Sequence, residues 1–257
     1  VGPMTRTVAD SALLLQTISG KDTQDSTTIE GGLPDMMKAI NKSPTGLKVG
    51  YDSIYATNGV DNDLIDAIEK AMEQLHTLGV EMVEIKVPDV SLLRENWKTI
   101  CTYEAAAAHA SNYPSRAAEY GAFFRDFLEY GYDTSKKQYS DAMQYRSEFR
   151  QEFTSCLSQV DAMLCPGGGV PFDFPRDLLY QSMGIIRQHM NPYTYFQFTI
   201  PANFTGLPAL SLPCGLSAEG MPYTMQFVGN QSGESTICRL GHAYQQATDW
   251  HHNHPDI

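Results

Sequence analysis

The chain has 257 residues, 42% hydrophobic and 19% charged, enough apolar material for a sizeable core without disulfide staples and too much for disorder. Eighteen Lys and Arg against 30 Asp and Glu give a formal charge of −12, which argues against docking on DNA, RNA or an anionic membrane. No apolar run approaches the roughly 18 residues of a membrane span; the richest stretch, residues 202–216, is broken by Gly206, Pro208 and Pro213.

The first element is a helix. Thr7-Val-Ala-Asp10 has the form of a helix start, with Thr7 as cap and Asp10 favoured by the helix dipole. Val8, Ala12, Leu15 and Ile18 then share a face, and Gly20 supplies the stop. A polar loop over residues 21–32 leads to a short amphipathic segment around residues 36–40. Residues 47–51 read as a strand. Residues 63–78 read as a helix with Ile65, Ile68, Met72, Leu75 and Leu78 inward and Gly79 at its end. Residues 83–87 alternate as a half-exposed strand. Strand–helix–strand with short joints is a βαβ unit, so a parallel or mixed sheet is expected.

Residues 90–160 are helical in pattern, with interruptions near Pro114 and Gly131. Tyr139, Met143, Arg146, Phe149, Phe153 and Leu157 share a face of the last of these helices. Residues 161–165 form a short buried strand closed by Pro166-Gly167-Gly168-Gly169. Strands around residues 209–212 and 225–228 follow. A helix over residues 234–247 closes the pattern, with Ile237, Leu240, Tyr244 and Ala247 on one face. There is no internal repeat or linker.

Recognised catalytic motifs are missing from the pattern. The chain has no Gly-x-Ser-x-Gly elbow, no Ser-x-x-Lys and no His-Glu-x-x-His. The Gly167–Gly169 run lacks both the Lys-Ser/Thr of a P-loop and dinucleotide spacing, so it reads as a plain turn. Five cysteines (Cys101, Cys156, Cys165, Cys214, Cys238) are an odd number without a CxxC pair, which fits neither a disulfide framework nor a zinc site. They are expected to be reduced and mostly buried, in a cytoplasmic setting. Cys165 stands at a strand end, where catalytic residues often sit, yet no partner His is evident, so a structural role is favoured over a Cys hydrolase. His76 reads as a surface or interface residue and His109 as facing a core or a cleft. His251, His252 and His254 read as a terminal tail rather than a metal site. Neither a metal nor a cofactor is expected.

Four stretches resemble the amidase signature family of amide-bond hydrolases: Val1-Gly-Pro-Met-Thr-Arg-Thr-Val-Ala-Asp10, Gly20-Lys-Asp-Thr-Gln-Asp-Ser-Thr27, the run from Thr199-Ile-Pro to Leu212-Pro-Cys-Gly215, and Met225-Gln-Phe-Val-Gly229 with the later Trp250-His251 and Pro255. They occur in the family's order. The resemblance implies an α/β fold, a mixed sheet flanked by helices, with residues 1–257 as the C-terminal portion of a single amidase-type domain. It also implies a Ser–Ser–Lys triad, expected upstream of Val1, so that the chain alone is expected to be inactive.

What the resemblance leaves in this chain is part of a substrate pocket. In glutamine-binding relatives an Arg on a late helix and an Asp before the Thr-Ile-Pro segment hold the charged ends of the substrate. Arg146 matches that Arg, with a helix–helix salt bridge as its alternative role. Phe196 stands at the Asp position, which points away from glutamine toward an apolar or aromatic amide; Phe196 and Phe198 as plain core residues are the alternative. Trp97 matches an aromatic pocket position more loosely. The expected partners are the upstream half of the same enzyme or a complementary chain and a small-molecule amide, with self-association where strand edges lie bare. The competing reading is a non-catalytic binding or assembly protein with an amidase-like fold.

Overall fold

A computed structural model of the chain describes residues 2–25, 27–28, 31–168, 176–188 and 196–254. In chain order the elements are α1 (Val8–Ile18), α2 (Met36–Ile40), β1 (Lys48–Tyr51), α3 (Ser53–Thr57), α4 (Asn62–Thr77), β2 (Glu81–Glu84), α5 (Leu93–His109), α6 (Ala122–Asp133), α7 (Lys136–Leu157), β3 (Ala162–Pro166), α8 (Met183–Gln188), α9 (Phe196–Thr205), β4 (Ala209–Leu216), β5 (Pro222–Gly229) and α10 (Glu234–Gln246). Short 3-10 turns sit at Ala117–Glu119, Arg176–Tyr180 and Trp250–His252. The chain divides into two compact units. One comprises Val1–Val87, Cys156–Gly167 and Leu207–Ile257, the other Pro88–Ser155 and Gly168–Gly206.

The first unit carries a five-stranded mixed sheet in the order β2-β1-β3-β5-β4. β1 runs parallel to β2 and β3, as the βαβ pattern requires, while β5 is antiparallel to both β3 and β4. β3 is central and every one of its residues is buried, which is why its sequence is a continuous apolar run rather than an alternating one. The β1–β3 pairing is extended at one end by Asp161, whose carboxylate accepts the Lys48 N–H at 2.7 Å while its own N–H donates to the Lys48 carbonyl at 2.8 Å. Asp52 fixes the exit from β1. Its Oδ1 accepts the N–H groups of Ile54 and Tyr55 at the start of α3, and its Oδ2 accepts that of Val87 at 2.7 Å.

Thr7 caps α1 as expected, accepting the Asp10 N–H. Val8 and Ala12 are buried, but Ile18 is exposed and the intended apolar face does not stay covered to the helix end. α4 also differs in its face: Leu64, Ala67, Ile68, Ala71 and Leu75 are buried, whereas Ile65 and Met72 are only partly covered. The reason is close approach. A Cβ placed on Gly215 would stand 3.1 Å from the Ala67 Cβ, so small residues on α4 face the β4 backbone. β2 begins two residues earlier than the alternation indicates, because its pairing starts at Glu81 opposite Lys48. On α10, Ile237, Leu240 and Tyr244 are buried, but Ala247 lies beyond the helix and is exposed.

The second unit is helical. Gly131, read from sequence as an interruption, lies inside α6 and is buried. A Cβ there would collide with the Thr102 carbonyl and come within 2.9 Å of the Ala106 Cβ, so the glycine lets the α6 backbone approach the α5 backbone directly. On α7, Phe149 and Phe153 stack with ring centroids 5.6 Å apart, and Phe204 of α9 meets Phe149 at 6.1 Å. These rings form the core of the unit.

Candidate substrate-binding site

The helical unit encloses a cavity of about 400 Å³ lined by Arg94, Glu95, Trp97, Lys98, Phe123, Phe127, Met183 and Phe196. Helical spacing delivers most of this lining. Arg94, Trp97 and Lys98 are i, i+3 and i+4 on α5, and Phe123 and Phe127 are i and i+4 on α6. Met183 opens α8, whose first N–H donates to the Asp126 carboxylate of α6 at 2.9 Å. Phe196 opens α9. Its ring meets that of Trp97 at 6.3 Å between centroids, and the Arg94 guanidinium lies over it at 4.8 Å.

The polar side of the cavity is a small linked set. The Lys98 ammonium stands 3.2 Å from the centre of the Tyr130 ring and 3.7 Å from Glu95. Tyr130 in turn donates its hydroxyl to Glu95 at 2.8 Å. Aromatic walls with a few polar groups at one side are the usual composition of a small-molecule pocket.

Of the residues singled out from sequence, the structure brings Trp97 and Phe196 together in this cavity. Arg146 is not among its lining. Its Nε donates at 2.7 Å to the Phe204 carbonyl in the last turn of α9, a favourable place for a cation. Phe198 is core, 1% exposed. Phe123, Phe127, Met183, Arg94 and Lys98 do not stand out in the sequence. The i, i+3, i+4 set on α5 and the Phe123–Phe127 spacing are the available signals, and neither differs from an ordinary amphipathic face.

The other titratable candidates resolve differently. Burial pushes the Cys165 thiol up to about 12, and the Gln226 amide lies 3.7 Å from its sulfur. A buried, protonated thiol is the opposite of an activated nucleophile, which counts against a Cys hydrolase. His109 faces a cluster of rings: its Nδ1 lies 3.0 Å from the Tyr120 hydroxyl, and its ring packs edge-on to Tyr120 and Phe124. His76 is exposed. His251 and His252 lie ring to ring at 3.9 Å, and burial together with His252 holds the His251 imidazole below its ordinary value. Among the described residues no group of three His, Cys, Asp or Glu is placed to hold a metal ion. Gly169 of the glycine run lies outside the described residues; Gly167 donates its N–H to the Thr224 carbonyl and so continues the β3–β5 pairing into the turn.

Comparison with known proteins adds a family to this geometry. The Amidase family model matches residues 1–238. The chain is 32% identical over 98% of its length to a glutamyl-tRNA(Gln) amidotransferase chain of Geobacter metallireducens, covering 55% of that protein. It is 31% identical over its whole length to an amidase of Pseudomonas putida, covering 54% of it. Among solved structures, a bacterial aryl acylamidase of the amidase signature family superposes with a TM-score of 0.81 over 97% of this chain and 53% of its own, at 22% identity, a likeness of fold alone. The chain thus spans about half the length of the curated relatives it matches.

Proposed function

The chain belongs to the amidase signature family, and from that premise we propose that it is the C-terminal portion of a single serine-amidase domain that hydrolyses a small, apolar amide. The observation that carries the substrate reading is the aromatic-walled cavity, in which Phe196 and Trp97 stand together and no carboxylate occupies the Phe196 position. Coverage of about half of each relative supports the placement of the Ser–Ser–Lys set outside these 257 residues.

In this reading the apolar body of the substrate lies against Trp97, Phe123, Phe127 and Phe196, and its burial supplies the binding energy. Roughly 25 cal/mol per Å² of apolar surface makes a phenyl group worth a few kcal/mol before ordering costs. Arg146 acts as a positioning residue, holding the C-terminal turn of the helix that Phe196 begins. By the chemistry of the family, a neutral Lys takes the proton of a bridging Ser, which takes that of the nucleophilic Ser. The nucleophile then attacks the amide carbon while backbone N–H groups hold the oxyanion; the C–N bond breaks as the bridging Ser returns a proton to the leaving amine, and water then hydrolyses the acyl-Ser ester to release the acid. The partner supplying those groups is the rest of the domain or a complementary chain. We place the enzyme in the cytoplasm. Among the described residues no helix is long and apolar enough to cross a membrane.

Trp97 lies in the cavity and provides the test. Titrating acetanilide and acetamide into the chain while following tryptophan emission should give a Kd at least ~10-fold lower for acetanilide, a difference of about 1.4 kcal/mol. The chain alone should not turn over acetanilide. Equal affinities would remove the apolar-amide reading, and turnover in a sample cleared of other hydrolases would overturn the placement of the triad.

A further inference from the structure

The helical unit holds a second pocket, which the proposed reaction does not use. About 430 Å³ of space at the surface is lined by Tyr113, Pro114, Glu129, Tyr132 and Asp133, none of which lines the Trp97 cavity. Two of the five are aromatic. The rings of Tyr113 and Tyr132 lie nearly parallel, 19° between planes and 5.8 Å between centroids. Both are held in place: Tyr132 donates its hydroxyl to the Tyr113 carbonyl at 3.0 Å, and Tyr113 donates its own to Glu129 Oε1 at 2.9 Å. Tyr113 is 5% exposed and Tyr132 47%, so one ring anchors the pair in the unit and the other meets solvent.

The rest of the pocket is anionic. Glu129 and Asp133 are i and i+4 at the end of α6, both exposed, and the last turn of that helix has no basic residue. The helix dipole adds negative potential at the same end, where a cation is favoured and a carboxylate is not. Neither carboxylate forms an ion pair among the described residues. Bases nearby in the chain do not supply one. Arg116 pairs with Glu119 and Lys137 with Asp141, while Arg125, whose charge reaches the Tyr113 hydroxyl, and Lys136 pair with neither carboxylate. The described lining thus carries two carboxylates, two tyrosines and no cation. A metal ion needs more oxygen ligands than this, and no three His, Cys, Asp or Glu among the described residues are placed to hold one. Aromatic rings beside carboxylates suit a large cation that carries alkyl groups.

We infer that the pocket at the end of α6 binds a small organic ammonium ion, its alkyl groups against Tyr113, Tyr132 and Pro114 and its charge beside Glu129 and Asp133. The Tyr113 hydroxyl occupies one oxygen of Glu129, which leaves the other oxygen and the Asp133 carboxylate for the guest. The site stands independently of the amide reading.

The test compares choline with 3,3-dimethylbutan-1-ol, which has the same shape and hydroxyl but no charge. Titrated calorimetrically into the 257-residue chain at low salt, choline should bind at least ~10-fold tighter, and the advantage should shrink as salt is raised. Glu129→Gln combined with Asp133→Asn should bring choline down to the level of the alcohol; the first change keeps an acceptor for the Tyr113 hydroxyl. Tyr132→Leu should weaken choline by about 3- to 10-fold, whereas Tyr132→Phe keeps the ring and should retain most of the binding. Near-UV circular dichroism checks that each variant keeps its aromatic packing; if the double substitution does not, Asp133→Asn alone and the two Tyr132 variants decide the matter. Equal binding of choline and the alcohol, or binding of neither, overturns the ammonium site. A choline preference that survives both the carboxylate substitutions and Tyr132→Leu overturns the residues named.

Discussion

The sheet-bearing unit and the helical unit use aromatic side chains in opposite ways. In the first, Phe227 of β5 is completely buried, and its strand is paired on both sides. In the second, the rings are divided. Phe149, Phe153 and Phe204 close on one another, while Trp97, Phe123, Phe127 and Phe196 stand around about 400 Å³ of space. The same residue type thus serves as core in one place and as cavity wall in another, and what separates the two roles is whether neighbouring helices close the gap. Stability and specificity are therefore expected to separate by position, and substitutions can test that separation.

The largest stability effect should come from the sheet. Phe227→Ala removes a ring with no exposed surface beneath flanking elements that cannot collapse far, and should cost about 3–5 kcal/mol. A urea midpoint shifted by less than a third of that cost would mean that the sheet core is looser than its burial indicates. In the helical unit the equivalent weak point is a glycine. Gly131→Ala drives a methyl group against the Thr102 carbonyl and the Ala106 Cβ, so α5 and α6 must part, at about 1–3 kcal/mol. Gly168→Ala, whose Cβ would meet nothing within 4 Å, is the control and should change little. Helix content followed through urea unfolding distinguishes the two.

These two sites also show what the sequence carries and what it does not. The βαβ pattern, the buried run of β3 and the Thr7 cap are legible because periodicity and capping are local properties. The α4 face is misplaced by periodicity because the buried Ala67 and Ala71 are weak hydrophobes, and for Ala67 it is close approach to the β4 backbone at Gly215 that makes it part of the packing face. Gly131 reads as a break because an isolated glycine in a helical pattern has two meanings, and contact with another helix decides between them. At the cavity, Trp97 and Phe196 emerge through family resemblance. Phe123 and Phe127 do not, since a pair of aromatic residues at i and i+4 is equally the mark of a closed interface such as Phe149–Phe153.

Alkaline titration should sharpen the comparison, because the strongest burial effects on ionisable groups lie in the sheet-bearing unit. Burial pushes Cys165, Cys214, Tyr51 and Tyr244 up to about 12 and Cys238 to about 11. A folded-state value above the ordinary one means that the folded form holds its proton longer. The stabilisation is complete below the ordinary thiol value of 9.0 and is lost as pH rises toward 12. For Cys165 alone the loss approaches about 1.4 kcal/mol per pH unit in that window. The urea midpoint of the sheet-bearing unit should fall steadily from about pH 9 upward, with iodoacetamide reaching Cys165 only as unfolding begins. A midpoint that stays flat to about pH 11, or Cys165 labelled in the folded protein near pH ~8, would contradict the burial.

A small effect on stability should accompany the largest effect on binding, at Phe196. Its ring is only partly covered, it lines the cavity, and among the described residues its contacts include the Trp97 ring and the Arg94 guanidinium. Phe196 is partly exposed and lines the cavity, so in Phe196→Asp the new carboxylate is not stranded in the core, and the loss of packing should stay near ~1 kcal/mol. The cavity itself changes character: an aromatic wall becomes an anionic one, and acetanilide should bind ~10-fold more weakly, while a primary amide such as acetamide changes little. Measured together, the urea midpoint and the acetanilide Kd place Phe196 on one side of the comparison. A loss of several kcal/mol with unchanged affinity would return it to the core beside Phe198, and the cavity would then have to be assigned to Trp97, Phe123 and Phe127 without it.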